Sequence, residues 1–62
     1  MLTTKITYAL ADWIRDWRKC RGESPSFEDC IKFTEWKLEN NELSDGDKRI
    51  IETIYLYETE EG

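Results

Sequence analysis

Few residues in this 62-residue chain could carry out chemistry. It contains no histidine, which removes the commonest general base and the commonest metal ligand. Its two cysteines, Cys20 and Cys30, cannot complete a closed zinc site without carboxylate ligands, and no acidic residue nearby has the required spacing. The three glycines are isolated, so there is no glycine-rich phosphate-binding loop. We therefore expect no catalytic residue, no metal site and no cofactor, and hence not an enzyme.

Asp45 and Asp47 have the spacing that begins a calcium-binding loop. The remainder of such a loop is missing, because Lys48 follows and no glutamate stands at the twelfth position. Ser44 precedes the two acids, and a serine followed three residues later by an acid resembles a helix capping box. We interpret these acids as part of a helix N-terminus.

The two cysteines are both predicted on apolar helix faces, and in an antiparallel hairpin they would approach one another. A disulfide closing so short a loop would add about 2–3 kcal/mol to the stability. Two cysteines are nevertheless far below the density of a disulfide scaffold, and a reducing cytoplasm keeps thiols free. We expect buried, unpaired thiols, with a Cys20–Cys30 disulfide as the alternative.

The first of three amphipathic segments has apolar residues at alternating gaps of four and three, as on one face of a helix. These residues are Ile6, Leu10, Trp13, Trp17 and Cys20. Thr3 and Thr4 are both suitable N-caps. Gly22 follows a turn rich in basic residues, as at a helix C-terminus. Because residues 2–8 contain several strand-prone types, a short strand is the alternative there.

The second segment is predicted to begin at Ser26, with Ser24 before Pro25 as the alternative start, and to end at Asn40-Asn41. Its apolar stripe consists of Phe27, Cys30, Ile31, Thr34 and Leu38. The third segment begins after Ser44, and its stripe consists of Ile50, Ile51, Ile54 and Tyr57. Residues 50–57 are also compatible with a strand, although the capping signal favours a helix. Residues 58–62 are predicted to form a frayed acidic tail.

Together these segments predict one all-α domain over residues 1–62, a small three-helix domain with helices at about 4–21, 26–40 and 44–58. We expect the first two helices to form an antiparallel hairpin that the third closes. The predicted core centre consists of Trp13, Trp17, Ile31 and Ile54. No apolar run approaches the roughly 18 residues that span a membrane, and the first five residues do not resemble a signal peptide, so we expect a cytoplasmic protein.

The charge is distributed unevenly along the chain. The net charge is −5, made up of +3 over residues 1–22, −2 over residues 23–34 and −6 over residues 35–62. Because nucleic-acid binding depends on neutralising phosphates, this balance disfavours a nucleic-acid-binding protein, despite the basic rim at Arg15–Arg21. The acidic C-terminal half favours a partner with a basic surface, which it would also find faster.

Several large side chains fall outside the predicted apolar stripes. Trp36, for example, lies almost opposite Phe27 on the second helix. Tryptophan and tyrosine are enriched among the anchors of protein interfaces. Three explanations fit: contact with a partner protein, packing between copies of this chain, or incorrect helix phases. We predict six residues for a protein-interaction surface: Trp36, Tyr8, Tyr55, Leu56, Glu35 and Glu39.

The function predicted from these features is a small acidic regulator or inhibitor that docks on a basic surface of a partner protein. Short acidic helical chains without catalytic groups are frequent among phage and mobile-element proteins. One alternative is a nucleic-acid-binding module that uses the basic end of the first helix, with Trp13 and Trp17 as a stacking platform. Another is a homo-oligomeric structural or assembly protein, of which a homodimer is the simplest form. No membrane partner is expected.

Overall fold

The chain folds into three packed helices in a computed structural model that describes residues 2–39 and 42–60. Helix α1 comprises Thr4–Arg21, α2 comprises Phe27–Lys37 and α3 comprises Asp45–Thr59. The described residues contain no strand. The prediction of a small all-α three-helix domain is confirmed, and the strand alternatives for residues 2–8 and 50–57 are wrong.

Each helix begins where a side chain satisfies backbone N–H groups that have no partner within the helix. Thr3 Oγ1 accepts from the Ile6 N–H at 3.2 Å before α1. Before α2 and α3 the predicted capping boxes are present. Ser26 exchanges hydrogen bonds with Asp29 at 3.1 and 3.3 Å, and Ser44 exchanges them with Asp47 at 3.1 and 3.2 Å. The interpretation of Asp47 as a helix-capping residue is confirmed.

The first two helices end at left-handed residues. Gly22 has φ 73° and donates its N–H to the Arg18 carbonyl at 2.8 Å, as predicted for the end of α1. Helix α2 ends at Lys37, and after the C-cap Leu38 the backbone becomes left-handed at Glu39, with φ 53°. The helix therefore ends about three residues earlier than predicted, so the end predicted at Asn40-Asn41 is wrong. Asn40 and Asn41 themselves lie outside the described residues.

Contacts at both ends of α3 define the arrangement of the bundle. Leu2, just before α1, donates its N–H to the carboxylate of Asp47, in the first turn of α3. Arg15, late in α1, binds Glu58, near the end of α3, so α1 and α3 run in the same direction. Helix α2 runs against both, because Phe27 in its first turn contacts Tyr55 near the end of α3. This is the predicted helical hairpin closed by the third helix.

The centre of the core is aliphatic. Leu10, Ile14, Cys30 and Ile51 are at most 1% exposed. The buried hydroxyl of Thr34 donates to the Cys30 carbonyl at 2.9 Å, so this buried polar group is hydrogen-bonded.

The core centre predicted from the sequence is wrong in its details. Trp13, Ile31 and Ile54 are only partly buried and pack against the aliphatic centre from outside, and Trp17 is also only partly buried. The space between three closely packed helices accepts medium-sized side chains aimed at the bundle axis. The larger indoles lie in the groove between helices instead.

Both cysteines are free, but their environments differ. Cys30 is buried as predicted, whereas Cys20 is exposed, so its predicted burial is wrong. At 100° per residue, Cys20 points about 80° away from Leu10 around the helix axis, so it lies at the edge of the apolar face of α1 and not at its centre. A Cys20–Cys30 disulfide is absent from this arrangement.

Thiol reactivity is expected to separate the two cysteines. Burial, assisted by the negative charge of Asp29, raises the pKa of Cys30 to about 11. In native buffer at mildly alkaline pH, one thiol per chain should react rapidly with a colorimetric thiol reagent, and the second only after denaturation. The Cys20→Ser variant should show no rapid reaction. Two rapidly reacting thiols in the native protein would contradict the burial of Cys30.

Asp47 is expected to make stability depend on pH. The Ser44 N–H, with a further contribution from the Leu2 N–H, holds the pKa of Asp47 below its usual value of 3.8. The stability that this carboxylate provides is therefore present above pH 3.8 and is lost as the pH falls through the lower, folded-state pKa.

Asp47→Asn should therefore lower the melting temperature near neutral pH, and this difference should shrink below about pH 4. Asp29→Asn is the matched control, because Asp29 occupies the same capping position but is less buried. It should cost less. Equal losses for the two variants at neutral pH would show that burial and the Leu2 contact contribute nothing.

Candidate protein-interaction site

Five of the six residues predicted for protein interaction lie at the surface. Their exposure shows that the helix phases of α1 and α2 are largely correct. The five are Trp36 and Tyr8, each 70% exposed, Leu56, 47% exposed, and the charged residues Glu35 and Glu39.

The sixth residue, Tyr55, was predicted to lie outside the apolar stripe of α3, and that placement is wrong. Its side chain is half-buried, packs against the core and contacts the Phe27 ring edge-to-face at 5.9 Å between centroids. Tyr57, which was predicted in the apolar stripe, is instead 78% exposed. The inner face of α3 passes through Ile51, Ile54 and Tyr55, so α3 is rotated from the predicted phase.

Glu58 explains this rotation and corrects the prediction of a frayed acidic tail from residue 58. Its carboxylate accepts two hydrogen bonds from Arg15, through Nε and Nη2, each at 2.9 Å. The Glu58 backbone carbonyl accepts a further hydrogen bond from Arg18. The Glu58 side chain is only 10% exposed. It lies on the same face of α3 as Ile51, Ile54 and Tyr55, and this attachment directs that face towards α1.

Trp36 stands at the end of a continuous row of aromatic rings across the α1–α2 groove. Trp17 contacts Trp13 edge-to-face at 5.1 Å between ring centroids. Trp13 stacks on Phe33 of α2 at 4.6 Å with an interplanar angle of 14°. Phe33 in turn lies 6.1 Å from Trp36. We call these four residues the aromatic row. Its inner members support the exposed indole of Trp36 from one side.

A cation lies at each end of the aromatic row. The Arg21 guanidinium lies 4.0 Å from the centroid of the Trp17 ring. Lys37 Nζ lies 5.0 Å from the centroid of Trp36 and 5.7 Å from that of Phe33. Such contacts contribute about 0.5–1 kcal/mol each at exposed sites. They show that the accessible faces of these rings attract positive charge.

A second recessed surface lies in the α1–α3 groove. It is a cleft of about 310 Å³, lined by apolar groups of Ala11 and Ile54 and by the exposed rings of Tyr8 and Tyr57. The ion pair between Arg15 and Glu58 forms one side of it. Sequence reasoning missed this cleft, because it assigned Tyr57 to the core and Glu58 to a tail.

The basic rim predicted at Arg15–Arg21 is largely engaged within the molecule. Arg15 forms a bidentate pair with Glu58, which raises the pKa of its guanidinium. Arg18 donates to the Glu58 carbonyl, and Arg21 lies on the Trp17 ring.

Within residues 2–39 and 42–60, no group of three acidic or cysteine side chains is arranged to hold a metal ion.

Trp17 allows a test of the aromatic row. Its Nε1–H is buried and has no hydrogen-bond partner among the described residues. An unpaired buried donor costs about 1–3 kcal/mol. Trp17→Phe keeps a ring beneath Arg21 and removes this donor, so the free energy of unfolding should fall by less than about 1 kcal/mol.

Trp13→Phe is the matched variant, since it shortens the indole that stacks on Phe33. It should cost more, about 1–2 kcal/mol, because a gap remains between α1 and α2. Urea denaturation measures both values. A larger loss for Trp17→Phe than for Trp13→Phe would contradict the described arrangement of the row.

No protein-family model, no curated protein and no solved structure matches this chain. Among the described residues, none of the helices has the length and apolar character needed to cross a membrane.

Proposed function

We propose that this chain is a small, acidic, non-enzymatic regulator or inhibitor that binds a partner protein through Trp36. The observation that carries the proposal is the position of Trp36, which is 70% exposed although its ring rests on Phe33 at the end of the aromatic row. A ring held in place before binding loses less conformational entropy when a partner covers it. Tryptophan is also among the residues that contribute most to binding at interfaces.

The charge around Trp36 supports a basic partner. Glu35 and Glu39 are exposed on either side of Trp36 in the sequence, and the whole chain carries −5. Lys37 Nζ already lies 5.0 Å from the Trp36 ring, which shows that this ring accepts a cation. An arginine or lysine of the partner would take the place of Lys37 over the indole, with the two carboxylates nearby.

The alternative of nucleic-acid binding has less support. Arg15 and Arg18, the centre of the predicted basic rim, bind Glu58, and the net charge opposes binding to phosphates. As part of the same proposal, the protein acts in the cytoplasm. A phage or mobile-element origin would suit its size and charge.

The test is quantitative capture of partners from the native host, followed by measurement of the affinity of a purified partner. Trp36→Ala should leave the melting temperature nearly unchanged and weaken binding by about 2 kcal/mol or more, roughly thirtyfold. Glu35→Gln and Glu39→Gln should mainly lower the association rate and its dependence on salt.

Tyr57→Ala is the control, because it removes a comparably exposed ring, 78% against 70%, from a different groove. In a one-to-one binding measurement, this variant should retain the wild-type affinity for the partner. Binding of Trp36→Ala at wild-type affinity would refute the proposal. Unfolding of Trp36→Ala would also refute it, since Trp36 would then be a core residue.

A further inference from the structure

The ammonium group of Lys37 lies over two aromatic rings at once. Its Nζ is 5.0 Å from the centroid of the Trp36 ring and 5.7 Å from the centroid of the Phe33 ring. A cation within about 6 Å of a ring centroid is attracted by the negative face of that ring. One position outside α2 therefore lies within reach of both rings, and we call these two rings the Trp36–Phe33 surface.

The geometry of this surface favours an ammonium over a guanidinium. The Arg21 guanidinium lies 4.0 Å from the centroid of the Trp17 ring, in contact with that single ring. A planar guanidinium stacks on one flat ring, whereas an ammonium is a compact charge without a preferred plane. The Trp36 and Phe33 rings are tilted by 51°, so one plane cannot lie parallel to both. A compact cation is attracted by both rings together.

We propose that the Trp36–Phe33 surface binds a lysine ammonium of the partner, and that Lys37 occupies this site until the partner's lysine displaces it. The proposal rests on the proposed binding of a partner through Trp36 and names the chemical group that this ring contacts. Phe33 is stacked on Trp13 and partly buried, so one ring of the site is held in place. Trp36 is 70% exposed, so the site is open to an incoming side chain.

The charges around Lys37 also favour a cation at this position. Lys37 is the only basic residue between Lys32 and Lys48, a stretch that contains five acidic residues. It lies in the last turn of α2, where the helix dipole is negative. Among the described residues Lys37 forms no ion pair, and neither do the exposed carboxylates of Glu35 and Glu39. These carboxylates are available to the incoming lysine.

Lys37 competes with the partner in two ways. Its ammonium covers the two rings, and its charge repels a second ammonium. A cation–π contact at an exposed site corresponds to about a two- to fivefold change in affinity. The contact of Lys37 is therefore weak enough for a partner to displace, yet its removal has a measurable effect.

Titration of the full chain with blocked amino acids, followed by NMR, tests the site without a partner. The probes are the N-acetyl N-methylamides of lysine, arginine and norleucine. In Lys37→Gln the lysine compound should shift the indole signal of Trp36, with a dissociation constant at least twofold below its value for the wild type. The arginine compound should bind more weakly, and norleucine, which lacks the charge, should cause no shift.

Lys32→Gln is the matched control. It removes the same charge from the same helix, but Lys32 pairs with Glu28 at 3.3 Å and lies on neither ring. This variant should bind the lysine compound as the wild type does. Both lysines are exposed, so circular dichroism should show both variants folded. Trp36→Ala combined with Lys37→Gln should abolish the shifts at Phe33.

A captured partner provides the second test. Lys37→Gln should bind it about two- to fivefold more tightly than the wild type does, because the competing ammonium is gone. Lys32→Gln should leave the affinity nearly unchanged.

Three outcomes would overturn the proposal. They are no shift of Trp36 in Lys37→Gln with the lysine compound up to about 100 mM, tighter binding of the arginine compound than of the lysine compound, and equal effects of Lys37→Gln and Lys32→Gln.

The failure of this proposal is distinguishable from that of the proposed function. If Trp36→Ala weakens partner binding but the lysine compound does not bind, only the ammonium site is refuted. If the lysine compound binds as expected but Trp36→Ala leaves partner affinity unchanged, only the proposed function is refuted.

Discussion

Two carboxylates on the inner face of α3 fix this helix against α1. Near its start, Asp47 accepts hydrogen bonds from the Ser44 and Leu2 N–H groups, and near its end Glu58 holds Arg15 with two hydrogen bonds of 2.9 Å. Arg15 is largely exposed, so this pair adds little to stability by itself. The pair mainly affects geometry. Asp47 and Glu58 lie on one face of α3, so both carboxylates keep their contacts at only one rotation of α3 about its own axis.

That rotation determines which surfaces the molecule offers. With Asp47 and Glu58 facing inwards, Ile51 enters the aliphatic core and Tyr55 reaches Phe27. Ile50 and Tyr57 are then left exposed, and Tyr57 lines the α1–α3 cleft. The shape of the α1–α3 cleft therefore follows from the same contacts that close the bundle.

The other groove follows from the size of the aromatic side chains. Leu10, Ile14 and Ile51 fill the narrow centre, so Trp13 and Phe33 stack across the α1–α2 groove instead. The row continues outwards to Trp36, whose ring is thus exposed and yet supported. A chain this short has little core to spare, and the rings that join α1 to α2 are also the rings that support the exposed Trp36.

The sequence by itself determined the features that depend on neighbours three or four residues apart. The capping boxes at Ser26 and Ser44, the left-handed Gly22 and the exposure of Trp36 and Tyr8 were all predictable. Capping hydrogen bonds join residues close along the chain, and the helical period alone places Trp36 opposite Phe27.

Only the tertiary structure decided the rotation of α3 and the environments that depend on it. The run from Ile50 to Tyr57 is apolar on several sides, so its periodicity permits inner faces about 100° apart. The choice between them depends on Arg15, which lies 43 residues before Glu58 in the chain. Likewise, the exposure of Cys20 and the displacement of the tryptophans from the core centre depend on how closely three helices approach, which no single helix specifies.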